Sequence, residues 1–293
     1  MTLALVVALT SLLYLGFEMS EAASRRVEEK HLLLQRDLLL ANVIQILQRK
    51  RKELNSSQGL EMLVGLPLEL EAEGIAVELT FDSAAKGINP NNFVMKDDRN
   101  RTIINPDFVL LFDRILQTYD VENKELFIAM IEDTLDPDLN ERIPGSELAL
   151  SNRRFAQGAI EGRAKFHMLI QRYIELTQDP KILAVPWDKI LSFHAPKIDL
   201  NHIEPTLLRL ILPYLGEETI QQITTGKAKL YGSLKELPLA KEDRAELKKY
   251  GVVPFVPILQ GDLVVREGKR RGEVKFIYDL AEQRVLEIEE KIF

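Results

Sequence analysis

Ile75-Ala-Val-Glu-Leu-Thr-Phe81 alternates apolar and polar side chains, the period of a strand with one face on a core. The same period returns after Gly251, in Val252 to Leu259, Asp262 to Glu267, Glu273 to Asp279 and Arg284 to Glu289. Glu267-Gly-Lys-Arg-Arg-Gly272 reads as a hairpin tip between the second and third of these. The chain between is helical in character: Asp107 to Thr118, Asn123 to Leu135, Glu147 to Thr177, Glu204 to Leu215, Glu217 to Thr224 and Lys241 to Lys249. Strand signals therefore flank a long helical block. The simplest arrangement places the early strand and the late strands in one antiparallel sheet, with the block inserted between them. That makes the fold class α+β, with the sheet region at 55–87 and 251–293 and an inserted helical domain at 88–250.

Upstream of the sheet, Leu3 to Phe17 is almost wholly apolar, and the first basic residue anywhere is Arg25. A secretory signal would open with positive charge and close at a small-residue cleavage site, and neither is clear. The run is short for a full membrane span of about 20 residues. It reads as a chain whose leader has been removed or lies outside this sequence; a buried core helix is the plainer alternative. Gly and Pro are missing from Phe17 to Ser57, and Val27, Leu34, Leu38, Ala41, Leu47 and Leu54 recur at helical spacing. One helix is predicted from about residue 2 to about residue 53, on the order of 75 Å long, within a membrane and stalk region at 1–54. Asn55-Ser-Ser-Gln-Gly59 ends it.

The chain has 293 residues, 46% of them hydrophobic and 28% charged, which fits a folded protein rather than a disordered one. A net charge of −7 argues against a general nucleic-acid binder. The short basic clusters Arg49-Lys50-Arg51-Lys52 and Lys269-Arg270-Arg271 fit a solvated helix face and a hairpin tip. With no cysteine, there is no disulfide framework and no thiolate chemistry. His31, His167, His194 and His202 are scattered, and the nucleophile-elbow, phosphate-loop and dinucleotide motifs are missing. Trp187, between Pro186 and Asp188, reads as a packing anchor. No enzyme and no small-molecule substrate are expected. Glu204 to Thr224 could form a helix-hairpin-helix nucleic-acid module, but Leu215-Gly216-Glu217-Glu218 puts acid where phosphate would approach.

The stretch with most chemistry is Asp133-Thr-Leu-Asp-Pro-Asp-Leu-Asn-Glu-Arg-Ile-Pro-Gly-Ser-Glu147. Asp136, Asp138 and Asn140 alternate, and Glu147 falls eleven residues after Asp136. These are the first, third, fifth and twelfth positions from which a loop wraps oxygen ligands around calcium. Asp133 adds a carboxylate one turn earlier, whereas Glu141 stands at the sixth position, where a glycine usually makes the turn. A solvated loop between helices, marked by Asp-Pro and Pro-Gly, remains the other reading. Ile88-Asn-Pro-Asn91 and Ile198-Asp-Leu-Asn201 echo each other ahead of two helices, with Asn91 or Asn92 and Asn201 as candidate caps.

Together these pieces resemble the K-type minor pseudopilins of bacterial type II secretion systems. The apolar start running to Phe17-Glu18-Met19-Ser20 is similar to a mature pseudopilin helix. Gly87-Ile-Asn-Pro-Asn-Asn92 resembles the family's Asn-rich segment that opens the inserted domain. Asp133-Thr-Leu-Asp136-Pro-Asp138 with Gly145-Ser-Glu147 resembles its Asp-Trp-Ile-Asp-x-Asp and Gly-Ala-Glu signatures. Lys197-Ile-Asp-Leu-Asn201 resembles its second Asn-containing segment. Thr134 replaces the usual Trp, and Leu148 stands where a polar group is common.

The resemblance implies a pilin-like fold: a long N-terminal helix packed on an antiparallel sheet, with a large inserted all-helical domain. It implies bound calcium, carried over to Asp133, Asp136, Asp138 and Glu147, with Asn140 added from spacing alone. It also implies single-pass anchoring in the inner membrane through Leu3 to Phe17 and a periplasmic bulk. The partners it implies are other minor pseudopilins, in a heteromeric complex at the filament tip. The uncharged Leu3 to Leu9 is consistent with members that lack the glutamate of other pilins. A minor pilin of a competence or type IV pilus is the neighbouring alternative.

Overall fold

The computed structural model describes residues 32–64, 67–72, 75–226, 229–268 and 270–292. Leu3 to Phe17 and the first part of the expected long helix lie outside these residues. Helix α1 spans 32–49, and after a turn at Lys50 come α2 (Arg51–Leu54) and α3 (Ser57–Leu63). The helical run thus ends at Leu54, close to the predicted stop. Ser56 caps α3, its side chain accepting the Gly59 N–H at 3.0 Å.

Leu40, Leu47 and Leu54, seven residues apart, pack with Leu32 against the sheet residues Leu79, Phe81, Leu263, Val274, Phe276 and Tyr278. Each such leucine contributes roughly 1.5–3 kcal/mol through burial. The expected apolar face was only half right. Leu47 and Leu54 are buried, but Leu34, Leu38 and Ala41 are exposed. The cause is a helix with two apolar stripes: the seven-residue one meets the sheet, and the Leu34/Leu38 one faces away. Arg36, 2% exposed, ties this helix to the last strand through Glu290 at 2.7 Å and also pairs with Asp37 at 2.8 Å.

The sheet opens with β1 (Leu68–Ala72) and β2 (Ile75–Ser83). The first of these lies in the expected sheet region, where Leu68-Glu-Leu-Glu alternates. The block that follows begins with a 3-10 turn at Pro90–Phe93 and the small hairpin β3 (Val94–Lys96) and β4 (Thr102–Ile104). Helices α4 (Pro106–Thr118), α5 (Lys124–Leu135), α6 (Leu148–Ser151), α7 (Arg163–Thr177) and α8 (Trp187–Ile190) come next. Strand β5 (Ile198–Asp199) precedes α9 (Pro205–Ile211), α10 (Glu217–Thr224) and α11 (Lys241–Lys249). The chain then forms β6 (Val252–Val253), β7 (Ile258–Glu267), β8 (Arg270–Asp279) and β9 (Arg284–Ile292).

Five strands make one antiparallel sheet in the order β1-β2-β7-β8-β9. The β2–β7 pairing runs from Ile75↔Glu267 to Ser83↔Leu259, so the whole block leaves and re-enters the sheet between adjacent strands. The predicted strand Val252 to Leu259 is split. Pro254 and Pro257 have no N–H to give a ladder, and Val252–Val253 pairs in parallel with β5 instead. The predicted helix Glu147 to Thr177 is also broken, with 152–162 non-helical and Gly158 in the left-handed region at φ +102°. The helix expected to reach Leu215 stops at Ile211, because Pro213 disfavours a helical conformation at Leu212.

One core runs through the block from Ile88 to Val252. Trp187 sits within it, its ring 6.0 Å from Phe112, 5.8 Å from Phe127 and 5.1 Å from Phe166. Its Nε1–H donates to the Ile182 carbonyl at 2.9 Å, as a packing anchor should.

The two Asn motifs prove to be one device used twice, in which the candidate caps Asn91, Asn92 and Asn201 do not cap helices. Asn89 Oδ1 accepts the Asn91 N–H and Asp199 Oδ1 accepts the Asn201 N–H, each at 2.9 Å. Two residues on, an asparagine amide grips a distant backbone from both sides. Asn91 takes the Ile160 N–H at 2.7 Å and donates to the Ile160 carbonyl at 3.0 Å. Asn201 does the same to Tyr231 at 2.8 and 3.1 Å, and also donates to Pro254. Asn92 donates to the Pro196 carbonyl. Caps come from Asn89 at the 3-10 turn and Asn105 at α4. Asn201→Ala strips these bonds from a buried site and is expected to cost about 1–3 kcal/mol. Urea denaturation of the two proteins checks this, and an unchanged midpoint would contradict the clamp's importance.

Candidate functional site

The acidic loop joins α5 to α6. Asp133 lies in the last turn of α5 and is 0% exposed, and Asp136 is the residue that ends that helix. Glu132 is next to them. Three carboxylates thus crowd a helix C-terminus, where the backbone dipole already places negative charge. Such an arrangement needs a cation nearby.

That cation is Arg142. Its backbone N–H donates to Asp133 Oδ2 at 3.1 Å, and its Nη1 bonds Asp133 Oδ1 and, at 2.5 Å, Asp136 Oδ2. Its Nε lies 3.2 Å from Glu132 Oε2. Burial works against the guanidinium charge, but the hydrogen bonds and charges of Asp136 and Asp133 outweigh it and raise its pKa. Burial pushes the Glu132 carboxyl up, with Arg142 pulling the other way. Gly145, in the left-handed region at φ +90°, turns the chain so that Ser146 faces inward. The Ser146 hydroxyl donates to Asp133 Oδ2 at 2.5 Å and accepts the Ile143 N–H.

The other predicted ligands go elsewhere. Glu147 is buried but caps α6, with Oε1 accepting the Ala149 N–H at 3.0 Å and Oε2 accepting from Gln157 at 2.7 Å. Burial lifts its pKa as well. Asp138 is exposed, and its Oδ1 accepts the Asn140 N–H at 2.8 Å. Asn140 is exposed too.

The structure therefore gathers Asp133 and Asp136 and leaves Asp138 and Asn140 exposed, while Glu147 lies close enough to feel the charges of Asp133 and Asp136 but bonds Ala149 and Gln157 instead. Among the described residues, no three Asp, Glu, His or Cys side chains are placed to hold a metal ion. Calcium takes six to eight oxygens. Here the side-chain oxygen that is both buried and unpartnered is Asp136 Oδ1, and both oxygens of Asp133 and of Glu147 already accept hydrogen bonds. The arrangement does not fit a calcium ion. Sequence reasoning missed Glu132, Arg142, Ser146 and Gln157. The available signal was Arg142 itself, the single basic residue between Asp133 and Glu147.

A cleft between block and sheet is lined by Lys86, Arg163, Lys189, His194, Lys275 and Glu287. His194 Nε2 lies 2.7 Å from Glu287 Oε2, linking the block to β9. Lys275 pairs with Asp262 at 3.3 Å. Among the described residues, no helix is long and apolar enough to cross a membrane.

No family model matches the sequence, and no curated protein matches it. A solved structure does. The chain superposes on GspK in the GspK-GspI-GspJ complex of the enterotoxigenic Escherichia coli type 2 secretion system, with a TM-score of 0.60. The match spans 91% of this chain and 99% of that one at 11% identity. At that identity the likeness is one of fold, and it covers both the sheet and the inserted block. The chain therefore has the fold of GspK, the K-type pseudopilin that its own motifs resemble.

Proposed function

We propose that this chain is a non-enzymatic minor pseudopilin of a type II secretion system, acting at the tip of the pseudopilus to help start its assembly. The observation that carries the reading is the interruption of the sheet between β2 and β7 by the helical block, matched to GspK over 91% of the chain. In this reading Leu3 to Phe17 anchors the chain in the inner membrane before assembly, and the bulk lies in the periplasm. The functional division is 1–54 for anchor and stalk, 55–87 and 251–293 for the sheet domain, and 88–250 for the insertion.

Two features support partners of the same kind. The structural neighbour was solved with GspI and GspJ. On α1, Leu34, Leu38 and Ile46 are 59%, 57% and 58% exposed on the side turned from the sheet. A helix in an isolated globular protein rarely keeps such a stripe open; stacked pilin helices would cover it. A bulky insertion above the stalk would also stop further subunits from stacking over it, which suits a tip position.

Light scattering tests the reading on the full chain in detergent, mixed with the companion minor pseudopilins of its own system. A defined heteromer is expected. A monomer indifferent to every companion would remove the tip role. Retention on heparin at low salt would instead favour the nucleic-acid alternative.

A further inference from the structure

The acidic loop resembles a calcium loop in sequence and is not arranged as one in space. We propose that the guanidinium of Arg142 is the built-in counterion of this loop, standing among its carboxylates where a divalent cation would stand, so that the chain folds this segment without calcium.

The argument rests on position and on charge. Asp133 is fully buried, and a buried carboxylate is tolerated only when it is paired and hydrogen-bonded. Its two oxygens receive the Arg142 side chain, the Arg142 backbone N–H and the Ser146 hydroxyl. Asp136 shares Nη1 of the same guanidinium with Asp133, and Glu132 meets its Nε. One planar cation with a fork of N–H donors thus reaches three acids at once, a geometry that lysine, as a point charge, cannot reproduce. Arg142 lies on the loop itself, so the cross-link closes between the end of α5 and the approach to α6. This is the position in which an ion would fix the angle between the flanking helices. Arg142 also occupies the space that an ion would need, and Glu147 is committed to capping α6 and to Gln157. A calcium ion would have to displace the arginine and uncap that helix.

The test is thermal melting of the full chain in detergent micelles, in millimolar calcium and in chelator, with calorimetric titration of calcium alongside. The wild type is expected to melt at the same temperature in both and to release no binding heat. Arg142→Gln, in chelator, is expected to melt roughly 5–10 °C lower, with part of the loss recovered by calcium, because its carboxylates then lack any cation. Arg142→Lys is expected to fall between the two. A wild type stabilised by calcium would overturn the proposal, whatever the variants do. So would an Arg142→Gln protein that melts like the wild type in chelator. Should Arg142→Gln fail to fold, Arg142→Gln with Asp136→Asn removes one unpaired charge; failure of that pair to regain structure would also count against the guanidinium as counterion.

Discussion

Truncating Trp187 to alanine is expected to destabilise the protein by about 3–5 kcal/mol, the range for large-to-small changes of buried aromatic residues. The indole is 8% exposed and is surrounded by Phe112, Phe127 and Phe166, which reach it from α4, α5 and α7. Those helices pack on one another through this ring, so its removal leaves a cavity that none of them can close alone. It also leaves the Ile182 carbonyl without its donor. Urea unfolding followed by circular dichroism measures the loss, since the variant removes the chain's single tryptophan and with it the fluorescent probe. Trp187→Phe keeps most of the volume and should recover more than half of it. A loss below about 1 kcal/mol for the alanine variant would mean that the block repacks freely around the hole.

Gly261→Val is expected to cost more than about 3 kcal/mol, against the rule that valine favours strands and glycine weakens them. Gly261 pairs directly with Phe276 across β7 and β8, and the aromatic ring lies over the glycine. A Cβ on residue 261 would come near 2.2 Å from the ring. The ring cannot retreat, because it is fully buried and set edge-on to Phe81, 6.4 Å away. Overpacking of this kind strains the strand and the core together. The decisive measurement is a double-mutant cycle with Phe276→Leu. If the ring is the obstacle, the second change restores part of the stability lost to the first. Strict additivity would place the strain elsewhere.

The large features of the fold were legible because each rests on a long pattern. Alternation at 75–81 and after Gly251 marked strands that are indeed neighbours, β2 beside β7. Elements of one or two turns were harder. The predicted helix from Glu147 to Thr177 passed over a break whose local signals were Gly158 and Gly162, and the grip of Asn91 on Ile160 that holds the broken segment comes from far away in sequence. The face of α1 was misread for a different reason: two apolar stripes share one helical period, and only the sheet decides which is covered. At the acidic loop, the spacing of carboxylates was visible, but spacing counts oxygens and does not say what they bind. Arg142 was in plain sight within that loop, yet a search for ligands passes over a cation.

Because Ser83 pairs with Leu259, the block's entry and exit are held side by side, and to the sheet the entire insertion is equivalent to a short turn. This sets an order of events during synthesis. The strands β7, β8 and β9 follow the block in sequence and emerge after it, so the half-sheet of β1 and β2 must wait with α1 while the block folds. Once the block is compact, its two ends are already close, and the entropy of closing a long loop, which grows as (3/2)RT ln n for a flexible chain, has largely been met by the block's own folding. Sheet closure then proceeds as if it were a local hairpin rather than a long-range pairing. The insertion, in kinetic terms, is a device that keeps late strands from being slow ones.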